Sequence, residues 1–327
     1  MNLFICGNGL DIHIGLKSRY INYREFLEGR GENIVNRLKA FKYCNINEED
    51  MTWNDLESNL KLDYEGYIKE YLDLFNRPRN KPGVRDSEEK LRKTSDFGLS
   101  DFTNNIYQFT GELFWQWLVY MYNKEKIQSI KGKYDHNTSD LSHLKNNKED
   151  LFINFNYTRS LEDVFEIQDK QILHIHGSLE KRGVNITLDD IINADAKMWR
   201  KIQFGSIDNN QDDIEDYING LNISANNNYF NVEELKYDLI GFCNKSYKDI
   251  TYNYSKLKDF IKDKKVDKVI IMGHSMMGVD LKYYENIIMP ILNDSIWEIY
   301  YYNDNKEAIK FINKFSIPKD KVRLIAW

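Results

Sequence analysis

"LFICGNGLDIHIGLKSRY", residues 3–20, runs an apolar stretch straight into Gly7-Asn8-Gly9, with Leu10 and Asp11 next and Gly15 beyond. A buried strand that enters a glycine turn brings its backbone close to something, most often a phosphate at the start of a helix. After Gly15, "YINYREFL" places Tyr20, Tyr23, Phe26 and Leu27 on one face at helical spacing. Strand, turn and helix in that order form the opening of a nucleotide-binding unit. The fingerprint is partial, because Ile12 holds the third glycine position and no acidic residue closes a second strand about 20 residues on. That argues against an ordinary dehydrogenase.

Further along, "LFINFNYT" (151–158) has strand character, "SLEDVFEI" (160–167) reads as a helix, and "QILHIHGSL" (171–179) is a short strand closed by glycine. "DKVIIMGHS", "IWEIYYYN" and "VRLIAW" are strands, alternating with helices in "DLKYYENIIMPIL" and "KEAIKFINKF". Such alternation predicts an α/β fold with a mainly parallel sheet covered by helices on both faces. The core is assigned to 1–44, 150–180 and 235–327. A helical insertion is expected over 45–149, where Thr52 can cap "TWNDLESNLKL" and Phe102, Ile106, Phe109, Leu113, Trp117 and Tyr120 form one stripe. Within it, "NRPRNKPGVRDSEEKLRKTSD" (76–96) reads as a loop. A second, polar and partly helical insertion is assigned to 181–234, with "KIQFGSID" as an embedded strand.

The 327 residues are 42% hydrophobic and 29% charged, the composition of a folded globular chain. The net charge of −6 comes from 51 acidic and 45 basic side chains mixed along the chain, so nucleic acid has no electrostatic footprint here. Cys6, Cys44 and Cys243 are far apart and odd in number, which suggests neither a disulfide framework nor a cysteine zinc site. "MNLFICGNGLD" has no basic region ahead of its apolar run, and "FWQWLVYMY" is too short to span a bilayer. A cytoplasmic protein with no membrane partner is expected.

In an open parallel sheet ligands sit outside the carboxyl ends of the strands. Four strands here end in polar or glycine signals: Gly7-Asn8-Gly9, Asn156-Tyr157-Thr158, His176-Gly177-Ser178 and Gly273-His274-Ser275. A parallel sheet would put all four on one rim. His174 and His176, two apart on a strand, would face the same side, His174 as a satisfied core imidazole and His176 as a general base at the strand end. Asn156 can orient a sugar hydroxyl or a water, donating and accepting. "GHSMMG" places Met277 where a nucleophile elbow needs glycine, and no histidine follows His274, so Ser275 is not read as a nucleophile. Glu57, one helical turn from Trp53, is a weaker candidate as an acid entering the pocket from the insertion. Asp11, His13, His174, His176 and His274 are types a two-metal phosphoesterase uses, but the run of further Asp and Asn ligands between them is missing. No metal is expected.

As an ordered set these blocks resemble the AbiH family of bacterial phage abortive-infection proteins: the opening stretch, "TWNDLE", "FINFNYTRSLEDVF", "ILHIHGSL", "IQFGSID" and "IIMGHSMMGVDLKYY". That family is in turn distantly similar to the sirtuin-like, Rossmann-like fold. The resemblance implies an NAD-type ligand or substrate, with Gly7, Asn8, Gly9, Leu10 and Asp11 in the phosphate loop. By the same resemblance Asn156 falls at the asparagine that positions the nicotinamide ribose, His176 at the base position, Gly273 and Ser275 on the adenosine side and Asp280 at the aspartate of a G-x-S-x-x-D region, with Thr158 and His274 counted among the ligand-binding residues. Asn8 replaces a small residue, Thr158 an aspartate, and the zinc cysteines of sirtuins are missing, which argues against protein deacylation and leaves NAD glycohydrolysis. A phage or host protein as trigger and a homo-oligomer are the expected partners besides the nucleotide. Two other readings stand beside this one: a non-catalytic nucleotide sensor acting through a partner, and a metal-dependent nuclease.

Overall fold

The computed structural model describes residues 1–30, 44, 46, 53, 55–75, 108–134, 141, 144, 148–179, 202–206, 211–221 and 232–327. The loop expected over 76–96, the Thr52 cap, Phe102 and Ile106 lie outside them. The described residues divide into two compact units: 1–23, 115–203 and 249–327 form one, and 24–114 with 204–248 form the other. From Trp115 on, the helical segment read from sequence as insertion therefore clusters with the sheet.

The first unit is built on six strands: β1 (Asn2–Cys6), β2 (Leu151–Asn154), β3 (Ile172–His174), β4 (Lys268–Met272), β5 (Ile296–Tyr301) and β6 (Val322–Ala326). Their order is β3-β2-β1-β4-β5-β6, and every neighbouring pair is parallel. This is the Rossmann-like α/β architecture. Successive residues Leu3, Phe4, Ile5 and Cys6 are all buried, as are Phe152 and Ile153 on one side and Val269 to Met272 on the other. Side chains alternate between faces along a strand, so such a run means that both faces are covered. Phe4 and Phe152 stack at 4.8 Å across the β1–β2 pair. The edge strands β3 and β6 are less enclosed.

Register aligns the strand ends. Cys6 pairs with Asn154 and Met272, and Asn154 with His174. The four polar strand ends therefore do share one rim, and it lies on both sides of the β1–β4 boundary, where the strand order reverses.

Helix α1 (Asn8–His13) follows β1 directly, and α2 (Tyr20–Gly29) begins after Gly15, whose φ of 97° suits glycine. The helix expected over 160–167 is shorter, Ser160–Asp163, because Glu166 adopts φ 62° and turns the chain away. The strand expected in "KIQFGSID" is absent over 202–206. Ser206 makes an isolated bridge to Tyr247, and a Cβ on Gly205 would lie 2.0 Å from the Ser246 carbonyl oxygen, so the segment pairs there at one point and forms no ladder.

In the second unit, Phe114 and Phe204 stack face to face at 4.0 Å, and Tyr64 meets Tyr217 edge-on. Trp53 is fully buried against Phe109 and beneath the Arg24 guanidinium. No helix among the described residues is long and apolar enough to cross a membrane.

Gly273 takes φ 61°, and a Cβ there would lie 2.3 Å from the Leu10 amide nitrogen. Gly273→Ala should lower stability by roughly 3 kcal/mol or more, since left-handed strain and backbone overlap add. Gly278→Ala, where the new carbon meets only Ser275 Oγ at 3.6 Å, should stay within about 0.5 kcal/mol. Denaturant midpoints of the two variants would check this.

Candidate functional site

The turn after β1 is fastened to the turn after β4. Gly7 N–H donates to the Met272 carbonyl at 3.0 Å and Gly9 N–H to the Gly273 carbonyl at 2.6 Å. A Cβ on Gly7 would lie 2.5 Å from His274 Cα, and one on Gly9 2.5 Å from Gly273 Cα. The glycines are thus required by backbone meeting backbone. Leu10 N–H donates to the Gly7 carbonyl, and the Leu10 side chain is in the core. Both the Gly9 and the Leu10 amide thus donate to protein carbonyls. Asn8 donates its side-chain amide to the Ser18 carbonyl.

Asp11, on α1, is 1% exposed and accepts from two hydroxyls beyond β2, Thr158 Oγ1 at 2.6 Å and Ser160 Oγ. Burial pushes its carboxyl up to about 6, against the two hydroxyl donors and the neighbouring His174, which pull it down. The Cys6 thiol below it is pushed far up, by burial first and by Asp11 second. Asn156 is buried and donates its side-chain amide to the Gly7 carbonyl at 3.0 Å, and its own N–H goes to Asn154 Oδ1. The β2 turn is therefore tied to the glycine turn at two places, through Asn156 and through Asp11.

The two histidines of "HIH" part company. β3 ends at His174, and Gly177 with φ 78° turns the chain, so His176 is off the strand and the two rings do not share a face as expected. His174 Nε2 meets Glu162 Oε1 at 2.9 Å, and Arg159 reaches the same oxygen at 3.1 Å. His174 Nδ1 and Glu162 Oε2 are buried with no hydrogen-bond partner among the described residues. His174 is thus one member of a part-buried polar cluster rather than a fully satisfied core imidazole.

His176, 1% exposed, meets Asp280 Oδ1 through Nε2 at 3.0 Å. Phe155 lies edge-on to its ring, Tyr157 and Tyr283 are tilted against it, and the His176 carbonyl accepts from Gln203 N–H. Phe155 also stacks on His274 at 4.0 Å. Tyr283 OH accepts from Asn253, which bonds Gln203 as well. Ser275 donates to Glu307 at 2.8 Å, and Met277 N–H to the same oxygen. One rim therefore brings together Gly7, Gly9, Asp11, Asn156, Thr158, His176, Gly273, His274, Ser275 and Asp280.

Glu57 belongs to the second unit. It is 6% exposed and ion-paired with Lys248 Nζ at 2.5 Å, so its partner is a buried cation rather than an aromatic pocket. Among the described residues, no group of three or more His, Cys, Asp or Glu side chains gathers as a metal ion would require. Sequence reading missed Ser160, Glu162, Asn253 and Glu307. Only Ser160 and Glu162, just past the β2 strand end, carried a local signal.

Two predictions follow from the buried carboxylates. Asp11 favours its protonated form in the fold, so its stabilising contribution is complete below pH about 4, the unfolded range, and is lost as pH rises through about 6. Between pH 4 and 7 the parent should lose roughly 3 kcal/mol relative to Asp11→Asn, read as a pH-dependent gap between unfolding midpoints. Lys248→Met, which strands the Glu57 charge, should cost about 3–5 kcal/mol, and adding Glu57→Leu should recover much of it.

No curated protein matches the sequence. The family model described as "Bacteriophage abortive infection AbiH" matches residues 3–301, nearly the whole chain. A parallel α/β core with its polar strand ends gathered on one rim, read together with that match, places this chain in the AbiH family of bacteriophage abortive infection proteins.

Proposed function

We propose that this AbiH protein is a cytoplasmic phage-defence effector whose sheet rim binds NAD or a related dinucleotide and hydrolyses it at the nicotinamide ribose. The observation that carries the reading is the in-register convergence of the β1, β2 and β4 strand ends, with the turn after β3, where the strand order reverses. Ligands of open α/β sheets bind at such a reversal. The sirtuin-like similarity of the motifs supplies the substrate class.

In this reaction water adds to the anomeric carbon of the ribose as the bond to the nicotinamide nitrogen breaks. The bonding pair returns to the pyridine ring, and a proton leaves the water. His176 takes that proton, and Asn156, anchored to Gly7, orients the ribose or the water. Gly273, His274 and Ser275 line the adenosine side. The phosphates are not assigned to the Gly9 and Leu10 amides, which are engaged within the protein. Three buried, unpaired thiols support a reducing compartment.

A second reading is favoured by one observation: the Gly9 and Leu10 amides both donate inside the protein. The rim then binds a nucleotide as a sensor, and the second unit engages a phage or host protein.

Purified protein incubated with NAD, with and without lysate of phage-infected cells, should release nicotinamide. His176→Ala and Asn156→Ala should each slow release by roughly 100-fold or more. A His176→Ala protein as fast as the parent sinks the catalytic assignment. Saturable NAD binding with no product at any protein concentration selects the sensor.

A further inference from the structure

The His176 ring is fixed by a residue 104 positions away. Asp280 Oδ1 lies 3.0 Å from Nε2, and the Asp280 side chain is 13% exposed beside a ring that is 1% exposed. With Asp280 ionised its carboxylate only accepts hydrogen bonds, and the proton then sits on Nε2. The neutral ring then carries its lone pair on Nδ1.

We infer that Asp280 is the positioning residue of a His–Asp dyad, holding His176 in the Nε2–H form so that Nδ1 is the nitrogen that accepts a proton from water or a sugar hydroxyl. This inference rests on the reading of the rim as a catalytic nucleotide site, and it moves Asp280 from a ligand-binding role to the base. A proton arriving at Nδ1 leaves an imidazolium whose charge faces Asp280, with no proton passing to the carboxylate.

The surroundings leave Asp280 as the acid in this role. The ring is flanked by Phe155, Tyr157 and Tyr283, which carry no charge at neutral pH. Glu307, the other acid near the β4 turn, bonds Ser275 and the Met277 amide. Glu162 and Arg159 are gathered on His174. Tyr283 is held by Asn253, so one aromatic wall of the ring is anchored as well. Asp280 immediately precedes the short helix Leu281–Tyr283, which keeps the acid and one aromatic wall on a single stretch of chain.

The test reads the ring directly and needs no turnover. Among six histidines, the His176 ring nitrogens are assigned by the signals lost in His176→Gln, in long-range proton–nitrogen spectra of the whole chain. In the parent at pH 8, Nε2–H should outnumber Nδ1–H by about tenfold or more. In Asp280→Ala the ratio should fall at least fivefold. Should that variant not fold, Asp280→Asn gives a second reading: its His176 ring should titrate at least one pH unit below the parent, a tenfold loss of proton affinity.

A parent ring protonated at Nδ1 overturns the inference. So does an unchanged tautomer ratio in Asp280→Ala, or an unchanged midpoint in Asp280→Asn. Where nicotinamide is released, Asp280→Asn should lower kcat at least 30-fold with KM within threefold of the parent. A raised KM with kcat unchanged would make Asp280 a binding group and reject the dyad. Because the nitrogen spectra do not depend on NAD cleavage, a failed dyad and a failed hydrolase reading give different results.

Discussion

The Gly9 amide reaches the Gly273 carbonyl at 2.6 Å, and the geometry of the rim follows from that contact. It demands two backbones with no side chain between them, which is why Gly7, Gly9 and Gly273 cannot carry a Cβ. With the β1 and β4 turns in contact, α1 starts where Asp11 meets the β2 turn, and the β4 turn leads on towards Asp280. A phosphate-binding glycine turn and a turn-on-turn contact use the same residue for the same reason, close approach. They differ only in what approaches.

Around this seam the polar groups fall into two clusters. Asp11, Thr158, Ser160, Glu162, Arg159 and His174 interlock around α1 and the β2 and β3 strand ends, where burial holds Asp11 towards its neutral form. His176, Asp280 and their aromatic walls form the other cluster. Asn156 stands between them, its backbone tied to Asn154 and its side chain to Gly7. The carboxamide is therefore oriented by the glycine seam, and the imidazole by a carboxylate on the far side of it.

Much of this was legible in the residues. Leu3 to Cys6 and Val269 to Met272 are unbroken apolar runs, which only a strand covered on both faces needs, and their glycine endings located the rim. The partners of the charged side chains were not legible in either unit. Glu57 and Lys248 are 191 positions apart, and His176 and Asp280 104. Periodicity reports which face a side chain takes, not what waits there. "HIH" misled for a local reason: period-two reasoning holds only while the strand continues, and β3 stops at the first of the two histidines.

The strand order has a consequence for how the chain is made. β1 precedes the other five strands in the chain and lies inside the sheet, yet its neighbours are β2, where Leu3 pairs with Leu151, and β4, where it pairs with Val269. At ribosomal speeds of about 5–20 residues per second, the second neighbour emerges on the order of ten seconds or more after the first strand. Until β2 emerges this largely apolar strand has both hydrogen-bonding edges open, and until β4 emerges it still has one. Loop-closure entropy also makes such distant pairings slow once they become possible. A nascent chain of this fold is therefore a natural client for chaperones that mask extended apolar segments, and its vulnerable stretch is the one that later forms the glycine seam.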